Sequence, residues 1–121
     1  MAKKKVPNPN GRKGGKLHQE KINEIEADIL KRNLSPLRER YYKNTEGGKS
    51  RFADIVAENK ETGAEEEIYQ VGKQNKNCKP VKRERDAMDD IEKISGMKVI
   101  FRPYNIFILI LIAIALPFLI T

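Results

Sequence analysis

The sequence predicts an α+β domain in the order helix, three strands, helix, strand, followed by an apolar C-terminal segment. Three observations carry that expectation. Ile22, Ile25 and Ile29 recur at helical spacing, with His18 on the same stripe. Three segments holding β-branched or aromatic residues then follow, separated by polar turns that contain glycine. A second helical stripe, Val81, Met88 and Ile91 with Ala87 and Ile94, ends at Gly96 and leads into Val99-Ile100-Phe101. Such an order suits a mixed sheet flanked by helices.

Residues 1–16 carry Lys3, Lys4, Lys5, Arg12, Lys13 and Lys16 and no acid. Pro7, Pro9 and three glycines oppose regular structure there, so a basic disordered arm is expected. No apolar run follows these charges, so they do not form a signal peptide. The first helix is expected over 17–33, with Lys31 and Arg32 suited to its C-terminal end. His18 lies on its apolar stripe, where a lone histidine is ordinarily a satisfied core residue. Glu20 projects away from that stripe. Ser35-Pro36 breaks the helix. The tyrosines of 37–43 favour a strand, and Gly47-Gly48 supplies a turn. Strands over 51–57 and 65–72 flank a turn at Thr62-Gly63. Residues 72–79 read as a basic polar loop, and Pro80 opens the second helix, about 81–95. The core domain is therefore expected over 17–102.

From Pro103 to Thr121 the chain carries no charge. Roughly nineteen residues of helix would span about 28 Å, close to the hydrocarbon thickness of a bilayer. A C-terminal transmembrane helix over 103–121 is the leading expectation, with a long buried β-rich segment as its competitor. Lys98 and Arg102 precede the span and no charge follows it, which would keep the remainder on the cytoplasmic side.

The 121 residues allow one small domain, and the formal net charge of +7 favours a polyanionic partner, either nucleic acid or an anionic membrane face. The single cysteine, Cys78, excludes an internal disulfide framework and reads as a surface thiol rather than a zinc ligand. The absence of tryptophan argues against a long single-strand stacking platform.

The residues that ask for chemistry are the acids of the second and third strands. Asp54 sits inside a short apolar run, where a carboxylate is costly unless paired. Glu67 opens the next strand. If the hairpin closes over its turn, the two carboxylates come near each other on one face, and a divalent cation would relieve their repulsion.

Taken together, GGKLHQEKI (14–22), SRFADIVA (50–57), EIYQVGKQ (67–74), PVKRERDAMDDIEK (80–93) and VIFRPYN (99–105) resemble the PD-(D/E)XK nuclease superfamily over about residues 14–105. More narrowly they look like its small restriction-endonuclease-like members. The resemblance implies an αβββαβ core and phosphodiester hydrolysis assisted by Mg²⁺, with Mn²⁺ as the alternative. It implies Asp54 and Glu67 as metal ligands and catalytic acids, and Glu20 as the acid of the first helix, with His18 as the alternative contributor. Two residues after Glu67 stands Tyr69 where that superfamily has lysine, so Lys73 becomes the assisting lysine, or else Lys82, Arg83 and Arg85 supply the charge. Lys73, Lys76, Lys79, Lys82, Arg83 and Arg85 would track a phosphate backbone, DNA in the first place, with little reading of bases. A homodimer is compatible with this reading.

The expectation is thus a metal-dependent nuclease-like protein tethered to a membrane by its tail. Two rivals stand beside it. One is a non-catalytic, tail-anchored nucleic-acid-binding or scaffold protein on a decayed nuclease fold. The other is a small membrane protein whose remaining part binds a protein partner.

Overall fold

The computed structural model describes residues 14–105. Their order is α1 (Lys16–Lys31), β1 (Ser35–Tyr42), β2 (Arg51–Glu58), β3 (Glu65–Gly72), α2 (Lys82–Ser95) and β4 (Val99–Pro103). The fold is α+β, with two helices and one four-stranded sheet, in the predicted αβββαβ sequence of elements. The strands lie in the order β1-β2-β3-β4. β1 to β3 form an antiparallel meander, and β4 runs parallel to β3. A parallel neighbour needs a crossover, and α2 provides it.

Strand alternation assigns the two faces. Ile55, Ala57, Tyr69 and Val71 meet Ile22, Ile25 and Ile29 of α1, with Leu34, Ile100 and Tyr104 at the margin. Val56, Ile68 and Val99 point the other way, toward Ile91 of α2, joined by Tyr42 and Ala53. Ile29, Ile55, Ile68 and Ile91 are fully buried. At the sheet spacing, each such side chain contributes on the order of 2 kcal/mol of hydrophobic free energy.

The ends of α1 have separate physical causes. It stops at Lys31 rather than at the expected 33, because Asn33 adopts a left-handed conformation with φ 62. The Leu34 N–H then bonds Ile29 O at 3.1 Å and the Asn33 N–H bonds Leu30 O at 3.1 Å. This is a Schellman closure, and Leu34 seals it against the core. In the β2–β3 turn, the Asn59 side-chain oxygen takes the N–H groups of Glu61 and Thr62 at 2.9 and 3.1 Å. Gly63 at φ 73 completes that turn.

Two expected boundaries move. β1 begins at Ser35, two residues before its tyrosine-based estimate, since Ser35 and Pro36 already pair with Glu58 and Ala57. The domain also continues past Arg102. Pro103 closes β4, the Tyr104 N–H bonds Gly72 O at 3.1 Å, and Asn105 clamps Gln74. In that clamp the Gln74 N–H reaches Asn105 Oδ1 at 2.8 Å, Asn105 Nδ2 donates to Gln74 O at 3.0 Å, and Gln74 Nε2 donates to Asn105 O at 2.5 Å. Residues 103–105 therefore belong to the sheet domain, not to an apolar span. Among the described residues no helix is long and apolar enough to cross a membrane. The rest of the expected span, 106–121, and most of the basic arm, 1–13, lie outside the described residues.

The clamp yields a prediction. Asn105→Ala removes two hydrogen bonds and leaves a half-buried N–H and C=O of Gln74 unsatisfied, so it should cost about 2 kcal/mol in urea unfolding. An unchanged midpoint would place the end of the fold before Asn105.

Candidate functional site

The site begins with a fault in the sheet. The β2–β3 ladder runs up to Ile55↔Tyr69 and stops. One step further, Asp54 would face Gln70. Instead its Oδ2 accepts the Val71 N–H at 2.7 Å, so a side chain takes the bond that the neighbouring strand would have taken. β3 meanwhile stays paired on its other edge, through Gln70↔Phe101, Val71↔Arg102 and Gly72↔Pro103. The disturbance reaches β1 as well. Arg38↔Ile55 and Arg40↔Ala53 pair, but Glu39, which lies between them opposite Asp54, drops out of the ladder with φ 53. Ala53 packs on the α2 side although strict alternation would place it with Ile55. A non-glycine residue in the left-handed region costs of order 1 kcal/mol, and such strain concentrates at working sites.

Around Asp54 the starts of both helices converge on a cavity of about 650 Å³. Lys16 and His18 come from α1, Glu39 from β1, Arg51 and Asp54 from β2, Gln70 and Gly72 from β3, and Arg83 and Glu84 from α2. His18 Nε2 lies 3.1 Å from Val71 O and 3.4 Å from Asp54 Oδ1. A carbonyl only accepts, so Nε2 carries the proton. The Tyr104 ring meets the imidazole edge-on at 6.3 Å. Neither helix has a side-chain N-cap, and the first turn of α1 holds no acid. The helix starts add positive potential to that of Lys16 and Arg83, whereas Arg51 is paired with Asp90 at 2.8 Å.

Two glycines make the convergence sterically feasible. A Cβ on Gly14, which also has φ 72, would lie 2.6 Å from His18 Cγ and Nδ1. A Cβ on Gly72 would lie 2.5 Å from Glu84 Cδ and 2.9 Å from its Oε1. Glu84 is 8 % exposed, and its carboxyl is pushed above the usual range, first by burial and then by the charge of Asp54. Arg83, a hydrogen bond from Gln70, and His18 pull in the other direction. Gln70 is equally buried, and its Oε1 has no hydrogen-bond partner among the described residues.

The residues singled out in the sequence are distributed differently from expectation. Asp54 is at the site; Glu67 is not. The hairpin register puts Glu67 opposite Ala57, three positions along from Asp54, or about 10 Å at strand rise. There it accepts two bonds from Arg32, at 3.0 and 2.6 Å, and one from Tyr69 Oη at 2.7 Å. Arg32 follows the far end of α1, about 21 Å along the axis from His18. The expected Asp54–Glu67 pair is therefore not formed, because the turn length and a bulge at Ala57/Glu58 set a register that the linear spacing does not reveal. Tyr69 buttresses Glu67 and Arg32 rather than occupying a lysine's place beside Asp54. Glu20 is exposed and pairs with Lys16 at 3.8 Å, while His18 from the same turn enters the site.

Lys73, Lys76 and Lys79 are exposed on the loop that leaves β3, outside the cavity lining. Lys82 pairs with Asp86 at 2.8 Å, and Arg85 donates to Pro80 O at 2.8 Å. Of the six predicted phosphate contacts, Arg83 alone lines the cavity. Sequence reading missed Gln70, Gly72, Glu84 and Glu39. Two of these carried a signal: Gln70 interrupts the apolar run of β3, and Glu84 shares the buried stripe of Ala87 and Ile91.

The donors around Asp54 are mostly carboxylate, amide and carbonyl oxygens, the set a hard divalent cation prefers. Among the described residues no group of three or more His, Cys, Asp or Glu side chains is placed to hold a metal ion. Magnesium needs no such group, being commonly held by one or two carboxylates with water completing the shell. Gln70 Oε1, without a partner among the described residues, and the Glu84 carboxyl against Gly72 belong to residues that line the same cavity as Asp54, so the donor types fit such an ion. No family model, curated protein or solved structure matches the chain.

Glu67 generates a prediction of its own. Its carboxyl is held below its ordinary 4.5, first by the Arg32 hydrogen bonds, with Tyr69 and Arg102 adding to the effect. A carboxylate depressed in the folded state contributes stability that is complete above its unfolded value and lost as pH falls through the folded one. Glu67→Gln should therefore cost about 1 kcal/mol at pH 7 and flatten the decline of stability below about pH 4.5. Urea unfolding across pH 3–7 measures both effects, and identical acid limbs would show that the pair adds nothing.

Proposed function

We propose that this domain is a metal-dependent, nuclease-like phosphodiester hydrolase centred on Asp54. One observation carries the reading: a part-buried carboxylate stands at a break in the sheet, beside two helix starts without side-chain caps and Lys16 and Arg83, while Arg51 is held by Asp90 at 2.8 Å. Cations and helix N-termini attract a phosphate, whereas a bare carboxylate repels it. An acid at the centre of an anion-attracting cavity makes sense when a divalent ion lies between acid and phosphate.

Asp54 would hold a magnesium-class ion, which when bound neutralises charge on the scissile phosphate and lowers the pKa of a coordinated water. Lys16 and Arg83 would position the diester. His18 Nε2 keeps its proton against Val71 O and orients toward Asp54. The net charge of +7 and the basic loop of Lys73, Lys76 and Lys79, which joins two cavity-lining elements, support a long polyanion such as DNA. Tethering through the apolar tail remains part of the proposal on sequence grounds.

A second reading, a non-catalytic nucleic-acid-binding protein on the same scaffold, is favoured by His18. Its N–H lies between Asp54 and Val71 O, a place where a cation would otherwise find two oxygens.

Plasmid nicking by the full chain in detergent, with Mg²⁺ or Mn²⁺, decides between them. Asp54→Asn should lower nicking by at least about a hundredfold, more than loss of an outer-shell partner costs. Glu67→Gln should stay within about twofold of wild type, in keeping with its distance from the cavity. Salt-dependent DNA binding without cleavage in either metal would establish the second reading.

A further inference from the structure

We propose that Glu84, with Asp54 and the Gln70 amide oxygen, forms the donor set of a hard divalent cation, so that the second carboxylate of the site comes from α2 and not from β3. The proposal rests on the reading of the cavity as a metal-dependent site and specifies which residues make it one.

Three independent features point to Glu84. Its position is the first. On α2 it falls at the helical spacing of Ala87 and Ile91, the face turned to the sheet, and it is 8 % exposed. An acid on that stripe loses hydration, and the cation nearest it, Arg83 Nη2 at 3.6 Å, is 78 % exposed and so mostly screened by water. The second feature is the space made for it. Gly72 has no positive φ to require glycine, so the demand there is steric: any Cβ would meet Glu84 Cδ at 2.5 Å. β3 gives up a side chain where the Glu84 carboxyl lies. The third is Gln70, equally buried, lining the same cavity, with an Oε1 that has no partner among the described residues.

A buried Glu84 repelled by the part-buried Asp54, beside an amide oxygen without a partner among the described residues, is unfavourable without a further counter-charge. It becomes favourable around an ion that takes oxygen ligands and keeps several waters. Among the described residues no cysteine or methionine lines the cavity, and Cys78 is exposed on the β3–α2 loop. The set therefore selects the magnesium and manganese class over softer metals.

Mn²⁺ serves as the probe, on the full chain in detergent, with free Mn²⁺ counted by electron paramagnetic resonance and thermal melts recorded with and without the ion. Wild type should bind one Mn²⁺ at this site and melt higher with it, by about 5 °C at saturating ion. Glu84→Gln should bind at least about tenfold more weakly. Without metal it should melt above wild type, because the repulsion from Asp54 is gone. Gly72→Ala removes no donor yet should weaken Mn²⁺ binding to a similar degree by displacing the carboxyl. The metal-free gain of Glu84→Gln keeps the test decisive if Gly72→Ala fails to fold. Wild-type affinity in Glu84→Gln, with affinity lost in Asp54→Asn, would overturn the assignment of Glu84 and leave the metal-dependent reading intact. No Mn²⁺ binding by wild type would overturn both.

Discussion

The hydrogen bond from the Val71 N–H to the Asp54 carboxylate is the constraint on which the rest of the site depends. A strand that pairs through to its end has no room for a functional side chain between itself and its neighbour. Here the β2–β3 ladder ends three residues before the end of β3, and a carboxylate takes the Val71 N–H that the ladder leaves open. The wedge between β2 and β3 is thus opened without leaving that N–H unsatisfied. β3 remains held by β4 on its other edge, so the opening is rigid rather than frayed. β1 accommodates the strain through the left-handed Glu39.

The two ends of the sheet do different work. At the Glu67 end, Arg32, Tyr69 and Asp28 form a partly exposed network in which every charge has an opposite or a hydrogen-bond partner. Nothing there is left for a ligand to satisfy. At the Asp54 end, like charges face each other, an amide oxygen is idle and two helix starts lack caps. Consistent local choices mark the parts of a fold that hold it together; inconsistent ones mark the parts put to use. The contrast locates the site without reference to any relative, which matters for a chain that matches none.

The fold was largely legible because its signals are local. The Ile22, Ile25 and Ile29 stripe, the Gly63 turn and the Gly96 stop each lie within a few residues of the element they define. Even the outward direction of Glu20 followed from a helical wheel. The site was legible only in part, because it is assembled from residues distant in sequence. Asp54 stood out as an acid in an apolar run, a one-strand signal. Choosing Glu67 as its partner required the register of β2 on β3, and that depends on a bulge no spacing rule predicts. The meaning of Gly72 required Glu84, twelve residues away across a loop and a helix start. Read alone, each was a bend in a strand or one acid among several on a charged helix.

The end of β4 adds a geometric consequence. Three hydrogen bonds join Asn105 to Gln74, which holds the end of β4 beside the first residues of the basic β3–α2 loop. That loop begins at the floor of the cavity and ends at the start of α2, whose first turn carries Arg83 and Glu84. Asn105, the basic loop and the acid-lined cavity are therefore linked through covalent neighbours and one clamp. Along the chain Lys76 and Lys79 are followed by Lys82 and Arg83, and then by Glu84 at the cavity. Basic residues thus lead along the chain to an acidic centre, so attraction of an anion acts at a distance while repulsion is confined to the cavity itself.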